Sequence, residues 1–461
     1  MVRILKFHAP KMVLALAGVE ALLLFGAFYA GLFASWVDTS SIDAFTDYLP
    51  NALLFSGVLV TMMYSVGLYH GQALSKLSGV AVRLAVAFFL GLIILLLAFY
   101  VMPGLTIWRG VMLPGMVVGF ALIIAVRSFA PRVLDMSVFK RRVLVIGCGE
   151  RAAMIEKLED EPRTFGFTCC GFVEMPGETR IVSERNVVAQ PNALADYVSE
   201  KNISEIVVAV QDRRGSLPLR ALIDCRLAGV DVIEYQHFYE RETGRVDLDA
   251  VNSNWFLFSD GFPNGRTHHV LKRSFDIFIS LAVLVLFLPL MLLAAIAVRL
   301  ESAGPIFYRQ QRVGFNGKPF ELMKFRSMTV DAEQDGIPKW AAAKDSRITA
   351  VGAFLRRTRI DEIPQIFAVL RGDMSFVGPR PERPYFVDQL RQKIPFYAER
   401  HGVKPGITGW AQLNYSYGAS VDDARMKLQY DLYYVKYYGI LLDVMILLQT
   451  VRVVLWPEGV R

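Results

Sequence analysis

Residues Lys272–Arg299 read KRSFDIFISLAVLVLFLPLMLLAAIAVR, a long apolar run, 275–298, with basic residues at both ends. The run is long enough to cross a membrane as a helix, which takes about 20 residues. A crossing would put the basic residues after the run on the opposite side from Lys272, against the rule that basic loops stay cytoplasmic. Pro289 removes a backbone donor past the middle and disfavours a straight helix. We therefore predict a re-entrant helix over 275–298 that bends at Pro289, with a kinked spanning helix as the alternative.

Apolar runs also dominate the N-terminal region, at 12–34, 50–69, 80–101 and 107–126, and each can span a membrane. Basic residues lie before the first run, after the second and after the fourth, whereas the loop after the first run carries acids at positions 38, 43 and 47. The positive-inside rule therefore predicts a multi-pass bundle with both ends in the cytoplasm. Glu20 lies inside the first run, where an ionisable group is costly. We expect it to be protonated or paired within the bundle.

The composition is typical of membrane spans joined to globular domains. The 461 residues are 54% hydrophobic and 20% charged, and the formal net charge is +7. Surplus basic residues on a membrane protein more often face anionic lipids and anionic substrates than nucleic acid. No nucleic-acid partner is expected.

The middle region has the pattern of an α/β domain. Residues 142–149 read RVLVIGCG, a buried strand that enters a glycine turn, and further strands are expected at 206–210 and 230–233 with helices between them. Such alternation predicts a parallel, doubly wound sheet. Ala152 occupies the third glycine position of the dinucleotide fingerprint, which makes that signal weak. A non-catalytic Rossmann-like module is favoured, and nucleotide or effector binding stays open.

Two groups of cations in the C-terminal region could contact phosphate. Strand-like alternation over 320–328 places Lys324 and Arg326 on one face, where they could hold a diphosphate or be solvated. The loop 378–384 reads GPRPERP and presents Arg380 and Arg383 between three prolines. Guanidinium groups suit bidentate phosphate contact.

Two adjacent acids lie at a predicted helix start in 360–372, which reads IDEIPQIFAVLRG. Proline is tolerated in a first helical turn and glycine suits a C-terminal cap, so a helix is expected from about Asp361 to a cap at Gly372. A helix N-terminus keeps a carboxylate ionised and also binds phosphate. An ionised Asp361 near cations could attack phosphorus, with Glu362 as base or metal ligand. The alternative is a helix cap beside a solvated Glu362.

These motifs occur in an order that resembles the bacterial sugar transferases. Their residues are Lys272–Arg273, Lys324–Met328, Asp361–Gln365, Gly378–Pro381 and Lys404–Trp410. The family comprises monotopic polyprenyl-phosphate hexose-1-phosphate transferases, also called phosphoglycosyl transferases. The bundle and the Rossmann-like module resemble its large members, which initiate exopolysaccharide or O-antigen synthesis. One departure is Leu288, because many members carry serine directly before the proline of the re-entrant helix.

The resemblance implies a two-step reaction. Asp361 would attack the β-phosphate of a UDP-sugar, release UMP and hold the phosphosugar covalently until polyprenyl phosphate takes it. Glu362 would be its acidic partner and Mg²⁺ would bind near Asp361. The resemblance also implies a bacterial inner-membrane protein with its catalytic domain on the cytoplasmic face. The hexose and the formation of a homodimer stay open.

The expected architecture therefore has three parts. A membrane α-helical bundle of four spans occupies 1–130, an α/β Rossmann-like module occupies 138–265, and an α/β monotopic catalytic domain with the re-entrant helix occupies 268–461. Two rival functions remain: a membrane-bound sugar-nucleotide dehydratase or reductase that uses the middle module, and a non-enzymatic subunit of a polysaccharide-assembly system.

Overall fold

The computed structural model of the chain describes most of the sequence. The described residues are 2–4, 7–9, 11–35, 46–69, 77–102, 104, 109–133, 140–160, 166–184, 187–188, 194–211, 217–263, 265–329, 347–415, 418 and 420–456. The chain divides into two compact units, Met1–Gly244 and Arg245–Arg461. Asp38 and Asp43, which contributed to the predicted bundle orientation, lie outside the described residues.

Apolar helices form at the four predicted positions of the bundle, and two short antiparallel strands, Val2–Ile4 and Phe7–Ala9, precede them. The helices are Lys11–Ala34, Leu49–Ser65, Leu77–Val101 and Arg109–Val133. The second helix has 17 residues, about 26 Å at 1.5 Å per residue, slightly less than a hydrocarbon core of about 30 Å. The other three are long and apolar enough to span, as is the helix Arg266–Glu301 of the second unit. The chain is a membrane protein.

Small residues bring the first and fourth helices of the bundle close together. A Cβ added at Gly31 would lie 2.5 Å from the carbonyl oxygen of Val111 and 2.7 Å from the nitrogen of Gly115. Close backbone approach at glycine is typical of helix packing in membranes, where dispersion contacts replace the hydrophobic effect. These glycines therefore set the spacing between the two helices.

Glu20 is fully buried in the bundle and is paired there, as expected. Arg127 donates from Nε to Oε1 at 2.7 Å and from Nη2 to Oε2 at 3.0 Å, and the Tyr69 hydroxyl donates to Oε2 at 2.6 Å. Arg127 also donates to the carbonyl oxygen of Leu68 at 2.8 Å. Arg127 follows the predicted fourth run, 107–126, and counts among the basic residues after it, but the helix continues to Val133 and buries this arginine.

The middle of the chain forms the predicted parallel, doubly wound sheet. Its strands are Arg141–Ile146, Phe167–Val173, Val187–Val188, Glu205–Val208 and Asp231–Glu234, and they pair in the order third, second, first, fourth, fifth. All pairs are parallel. This order matches the first five strands of the dinucleotide-binding fold. The helices of this part are Glu150–Asp160, Leu194–Glu200, Leu219–Leu227 and Tyr235–Thr243.

The second unit combines helices with short strands. A hairpin pairs Phe307–Val313 with Pro319–Phe325 around a 3₁₀ turn at Phe315–Gly317, and Ser375–Val377 pairs in parallel with Gly406–Thr408. The helices are Ser253–Phe258, Arg266–Glu301, Ala350–Thr358, Ile366–Arg371, Pro384–Lys393, Trp410–Asn414, Val421–Tyr437 and Ile440–Leu455, with 3₁₀ segments at Ile360–Gln365 and Tyr397–Gly402.

The segment 245–265 belongs to this second unit rather than to the predicted 138–265 module. The amide of Val246 donates to the carbonyl oxygen of Gln429 at 3.0 Å. The amide of Phe262 donates to the carbonyl oxygen of Lys436 at 2.8 Å. Both acceptors lie on the helix Val421–Tyr437. These hydrogen bonds to the helix Val421–Tyr437 place the segment in the second unit.

The predicted apolar run 275–298 lies inside one helix of 36 residues, Arg266–Glu301, which continues through Pro289. Both ends of this helix contact other elements of its unit. Near the start, Arg273 donates to the carbonyl oxygens of Val369 and Leu370 at 2.5 and 2.6 Å. Between the ends, large apolar side chains are exposed, among them Phe278, Val285, Leu286, Leu292 and Leu293.

The ion pair in the bundle generates a stability prediction. Arg127→Met leaves the Glu20 carboxylate buried without its cation, and we expect a loss of about 3–5 kcal/mol. Replacing Glu20 with Gln in the same chain removes the uncompensated charge, so the double variant should recover part of this loss. Thermal unfolding in detergent micelles measures both. A double variant that is less stable than Arg127→Met would contradict the pairing.

Candidate active site

The two adjacent acids lie in a tight turn between two helices. The helix Ala350–Thr358 ends at Arg359, whose φ of 59° is left-handed, and a 3₁₀ turn over Ile360–Gln365 follows. The α-helix starts only at Ile366, so the prediction of an α-helix from about Asp361 is wrong by one turn. Gly372 closes that helix with φ 95°, which confirms the predicted cap. The turn is closed by 3₁₀-type bonding, with the amide of Glu362 donating to the carbonyl oxygen of Arg359 at 3.2 Å.

Glu362 is held by two cations from different parts of the unit. Lys324 Nζ lies 2.7 Å and Arg380 Nη2 lies 3.2 Å from the same oxygen, Oε1. Burial raises the pKa of Glu362, but the charges of Arg380 and Lys324 outweigh it and hold the pKa well below its usual range. Glu362 is therefore an anion. Burial lowers the pKa of Lys324, and the carboxylate of Glu362 opposes this.

Asp361 is in a different electrostatic state from its neighbour. Its side chain is 8% exposed, and Oδ1 is buried without a hydrogen-bond partner among the described residues. Burial and then the charge of Glu362 raise its pKa, while Lys324, Arg359 and Arg356 oppose the rise. Asp361 lies in a buried 3₁₀ turn beside a second carboxylate rather than in the first turn of an α-helix, and both surroundings raise its pKa. A further cation beside Asp361 would lower its pKa.

Arg326 does not share the position of Lys324. Its guanidinium is buried and donates to the carbonyl oxygens of Ser302 and Ala303, at 2.7 and 3.0 Å, just after the helix Arg266–Glu301. The two cations predicted to share a face thus have different partners, since Lys324 contacts Glu362 and Arg326 contacts the end of a helix. A cation at a helix C-terminus stabilises carbonyl groups that have no partner within the helix.

The structure brings Arg380 to the acids and places Arg383 at a helix start. Arg383 is the residue before the helix Pro384–Lys393, and its carbonyl oxygen accepts from the amides of Phe386 and Val387, each at 3.1 Å. Its contact with substrate stays a prediction. Lys324, Asp361, Glu362 and Arg380 thus form the candidate active site, with Arg356 and Arg359 near enough to act on the pKa of Asp361.

Sequence reasoning missed a buried network at the base of the long helix. Lys272 Nζ lies 2.7 Å from Asp443 Oδ2 and 3.4 Å from Asp276 Oδ1, and Tyr434 donates to Asp443 Oδ1 at 2.7 Å. Asp276 also accepts from the Ser375 hydroxyl at 2.9 Å. The sequence contains one signal for this network, an acid inside each of two apolar segments, at positions 276 and 443. An acid in such a segment is costly unless it is paired, so buried partners could have been expected. The network joins the long helix to the strand Ser375–Val377 and the helix Ile440–Leu455.

The glycine turn of the Rossmann-like module is occupied by a carboxylate of the chain itself. The amide of Cys148, between Gly147 and Gly149, donates to Glu178 Oε2 at 2.9 Å, and the amide of Gln211 donates to Oε1 at 3.4 Å. These amides follow the first and fourth strands of the sheet, the switch point where such folds bind the phosphates of a ligand. Glu178 therefore takes the position that a ligand's phosphate would need.

The described residues hold no cluster of three or more His, Cys, Asp or Glu side chains that could bind a metal ion. Mg²⁺ does not need such a cluster, because it often binds one or two carboxylates together with substrate phosphates and water. The buried, unpartnered Oδ1 of Asp361 is an oxygen ligand of this kind. The residues present therefore fit Mg²⁺ bound by Asp361 together with a diphosphate.

Comparison with known proteins gives the class of protein to which this site belongs. A family model described as bacterial sugar transferase matches residues 267–457, and a model described as CoA-binding domain matches residues 30–233. The chain is 30% identical over 335 residues to the UDP-glucose:undecaprenyl-phosphate glucose-1-phosphate transferase of Xanthomonas campestris pv. campestris, an alignment that covers 70% of this chain and 68% of the relative. The chain belongs to the bacterial sugar transferase family.

Two further relatives match smaller parts of the chain. The chain is 43% identical over 242 residues to a UDP-N-acetylgalactosamine-undecaprenyl-phosphate N-acetylgalactosaminephosphotransferase of Aeromonas hydrophila, and the alignment covers 52% of this chain. It is 43% identical over 191 residues to a UDP-glucose:undecaprenyl-phosphate glucose-1-phosphate transferase of Escherichia coli (strain K12), over 41% of this chain. The chain spans only 56% and 41% of the lengths of these two relatives.

The occupied glycine turn generates a binding prediction. Wild-type protein should not bind NADH, because Glu178 already accepts the amide hydrogens of the turn. Glu178→Ala frees these donors, and we expect weak NADH binding to appear. Nicotinamide fluorescence during a titration with NADH measures binding to the wild type and to the variant.

Glu174→Ala is the matched control, since this nearby acid pairs with Arg180 at 2.6 Å and not with the turn. Saturable binding of NADH to the wild type would show that the module uses a nicotinamide cofactor and would favour the rival dehydratase or reductase function.

Proposed function

We propose that the chain transfers a hexose-1-phosphate from a UDP-sugar to polyprenyl (undecaprenyl) phosphate and releases UMP. The observation that carries this proposal is the pair Asp361–Glu362, which combines an anion held by Lys324 and Arg380 with a buried acid that has a free oxygen. The printed names of the relatives, which specify UDP-sugars and undecaprenyl phosphate, support the two substrates. Because those names differ in the sugar, the hexose is left open.

Asp361 is the proposed nucleophile. Its carboxylate oxygen forms a bond to the β-phosphorus of the UDP-sugar, the bond from that phosphorus to the bridging oxygen breaks, and the electron pair leaves with UMP. A phosphate oxygen of the polyprenyl phosphate then attacks the same phosphorus, and Asp361 leaves as a carboxylate. One phosphoanhydride is exchanged for another, so the overall reaction needs no external energy source.

The residues around Asp361 supply the electrostatic conditions for this attack. The raised pKa of Asp361 shows that its anion is disfavoured by burial and by Glu362. The positive charges of Lys324, Arg356 and Arg359 oppose this and would favour the nucleophilic form. Mg²⁺ bound by Asp361 and the diphosphate would neutralise charge on the diphosphate. Arg380, and Arg383 beyond it, would contact the phosphates of the substrate.

We also propose that the helix over 275–298 is re-entrant. Arg273 contacts the C-terminal end of the helix Ile366–Arg371, while Phe367 of that same helix packs against a cluster with Met291 and Val298. This short helix is only about 9 Å long, whereas a crossing separates the ends of a span by about 30 Å of hydrocarbon. Contact of both ends with one short helix, and a middle segment of exposed apolar side chains, support entry into and return to one face.

This arrangement defines the proposed location of each part. The bundle over 1–130 anchors the chain in a bacterial inner membrane, and the module over 138–265 and the catalytic domain over 268–461 lie on the cytoplasmic side. The positive-inside rule supports this orientation. A UDP-sugar from the cytoplasm and a lipid phosphate at the membrane surface could then meet at Asp361.

The proposed reaction is tested by UMP release. Purified protein with Mg²⁺, polyprenyl phosphate and a panel of UDP-sugars should release UMP from at least one of them, and chelation of the metal should stop release. Asp361→Asn should lower the rate to below about one thousandth of wild type, as expected for loss of a nucleophile. Asp249→Asn, which alters an exposed acid paired with Arg425, is the matched control. Full activity in Asp361→Asn would rule out the proposed nucleophile.

The re-entrant helix is tested by cysteine labelling. After the four native cysteines are replaced, Ala303→Cys lies just beyond the helix and should react with a membrane-impermeant maleimide only after the cells are opened. Asp47→Cys, in the loop predicted to face outward, should react in intact cells and serves as the control. Labelling of Ala303→Cys in intact cells would instead support a spanning helix.

A further inference from the structure

The loop Gly378–Pro384, which carries Arg380, cannot be held by its own backbone. Three of its seven residues are prolines and have no N–H donor. Donors from elsewhere satisfy four successive carbonyl groups of the loop. Pro379 accepts from the amide of Gly406 at 2.9 Å, Arg380 from Arg400 Nη2 at 3.0 Å, Pro381 from Arg312 Nη1 at 3.0 Å, and Glu382 from the amide of Val313 at 2.9 Å.

The donor to Arg380 is itself locked in place. Arg400 is 5% exposed, and its Nε and Nη2 lie 3.0 and 2.7 Å from Asp431 Oδ2. Its Nη1 donates to the Tyr397 hydroxyl at 3.0 Å, and its guanidinium lies 5.2 Å from the centre of the Tyr397 ring. Asp431, only 2% exposed, lies on the helix Val421–Tyr437. A buried guanidinium with this many partners has one orientation available to it.

A chain of contacts therefore connects this buried pair to the candidate active site. Asp431 fixes Arg400, Arg400 fixes the carbonyl group of Arg380, and Arg380 reaches Glu362 Oε1 at 3.2 Å. Arg380 lies between Pro379 and Pro381, and the residue before a proline has few backbone conformations. Once its carbonyl group is held, the base of its side chain has little freedom.

We propose that Arg400, held by Asp431, is a positioning residue that places the guanidinium of Arg380 beside Glu362. Arg400 does not itself touch the substrate in this proposal, which rests on the transfer reaction proposed above. Its effect passes only through Arg380. The pair of Arg400 and Asp431 thus determines how closely the guanidinium of Arg380 approaches the two acids of the site.

The proposal is tested by a double-mutant cycle on UMP release. Arg400→Lys keeps the charge but loses the planar fork that reaches Asp431 and the Arg380 carbonyl together. We expect kcat/KM to fall about 10- to 100-fold, the range for a misplacement of about 1 Å in an active site. In an Arg380→Ala chain, the same substitution should change kcat/KM by less than about twofold, because no guanidinium remains to be positioned. Equal losses in both chains would overturn the proposal.

The matched control is Arg425→Lys, which alters another arginine–aspartate pair of the helix Val421–Tyr437, on its exposed side. It should retain wild-type kcat/KM. If Arg400→Lys fails to fold, Tyr397→Phe removes one partner of the guanidinium and keeps the ring. That variant should lose about two- to fivefold in the wild-type chain and nothing in the Arg380→Ala chain. A loss that persists without Arg380 would overturn the proposal.

Amide hydrogen exchange provides a measurement that does not depend on the reaction. The amides of Arg380 and Glu382 should exchange faster in Arg400→Lys than in wild type, and at the wild-type rate in Arg425→Lys. If no UDP-sugar yields UMP, the proposed function fails, and this exchange still decides whether Arg400 holds the loop. Unchanged exchange at Arg380 in Arg400→Lys would overturn the positioning role.

Discussion

The ion pairs of Glu362 with Lys324 and Arg380 allow two adjacent carboxylates to be buried in one turn. Two like charges in neighbouring residues repel, and burial strengthens this repulsion because it lowers the effective dielectric constant. The surroundings of the two acids differ, and their pKa values shift in opposite directions. The cations hold Glu362 as an anion, and the same burial together with the charge of Glu362 raises the pKa of Asp361. Divergent environments for paired acids are typical of groups with different chemical roles.

The two cations come from elements that are far apart in sequence, so the site exists only when the unit is folded. Lys324 is on the strand Pro319–Phe325, and Arg380 is in a proline-rich loop whose carbonyl groups depend on donors from three other segments. The acids themselves depend on the left-handed conformation of Arg359, which ends one helix and starts the 3₁₀ turn. Each of these features costs conformational freedom, and packing of the whole unit offsets that cost.

The sequence patterns correctly predicted the elements that depend mainly on residues near one another in the chain. The apolar runs became helices, the alternation of strands and helices became a parallel sheet, and Gly372 became a left-handed cap. Tertiary contacts explain the errors. Alternation predicted that Arg326 shares a site with Lys324, but its side chain bonds to carbonyl groups at the end of a helix. The buried pair of Arg400 and Asp431 has no local sequence signal, because its partners are 31 residues apart.

The network around Lys272 connects the membrane helix to the site. Asp276 and Asp443, 2% and 0% exposed, share this lysine, so a shift of the long helix would break buried ion pairs and leave a charge without a partner. Asp276 also accepts from the amide of Phe376, two residues before the loop that carries Arg380. The depth of the helix in the bilayer is thereby tied to the position of that loop. In the proposed reaction, this connection would place Asp361 at the level of a lipid phosphate at the membrane surface.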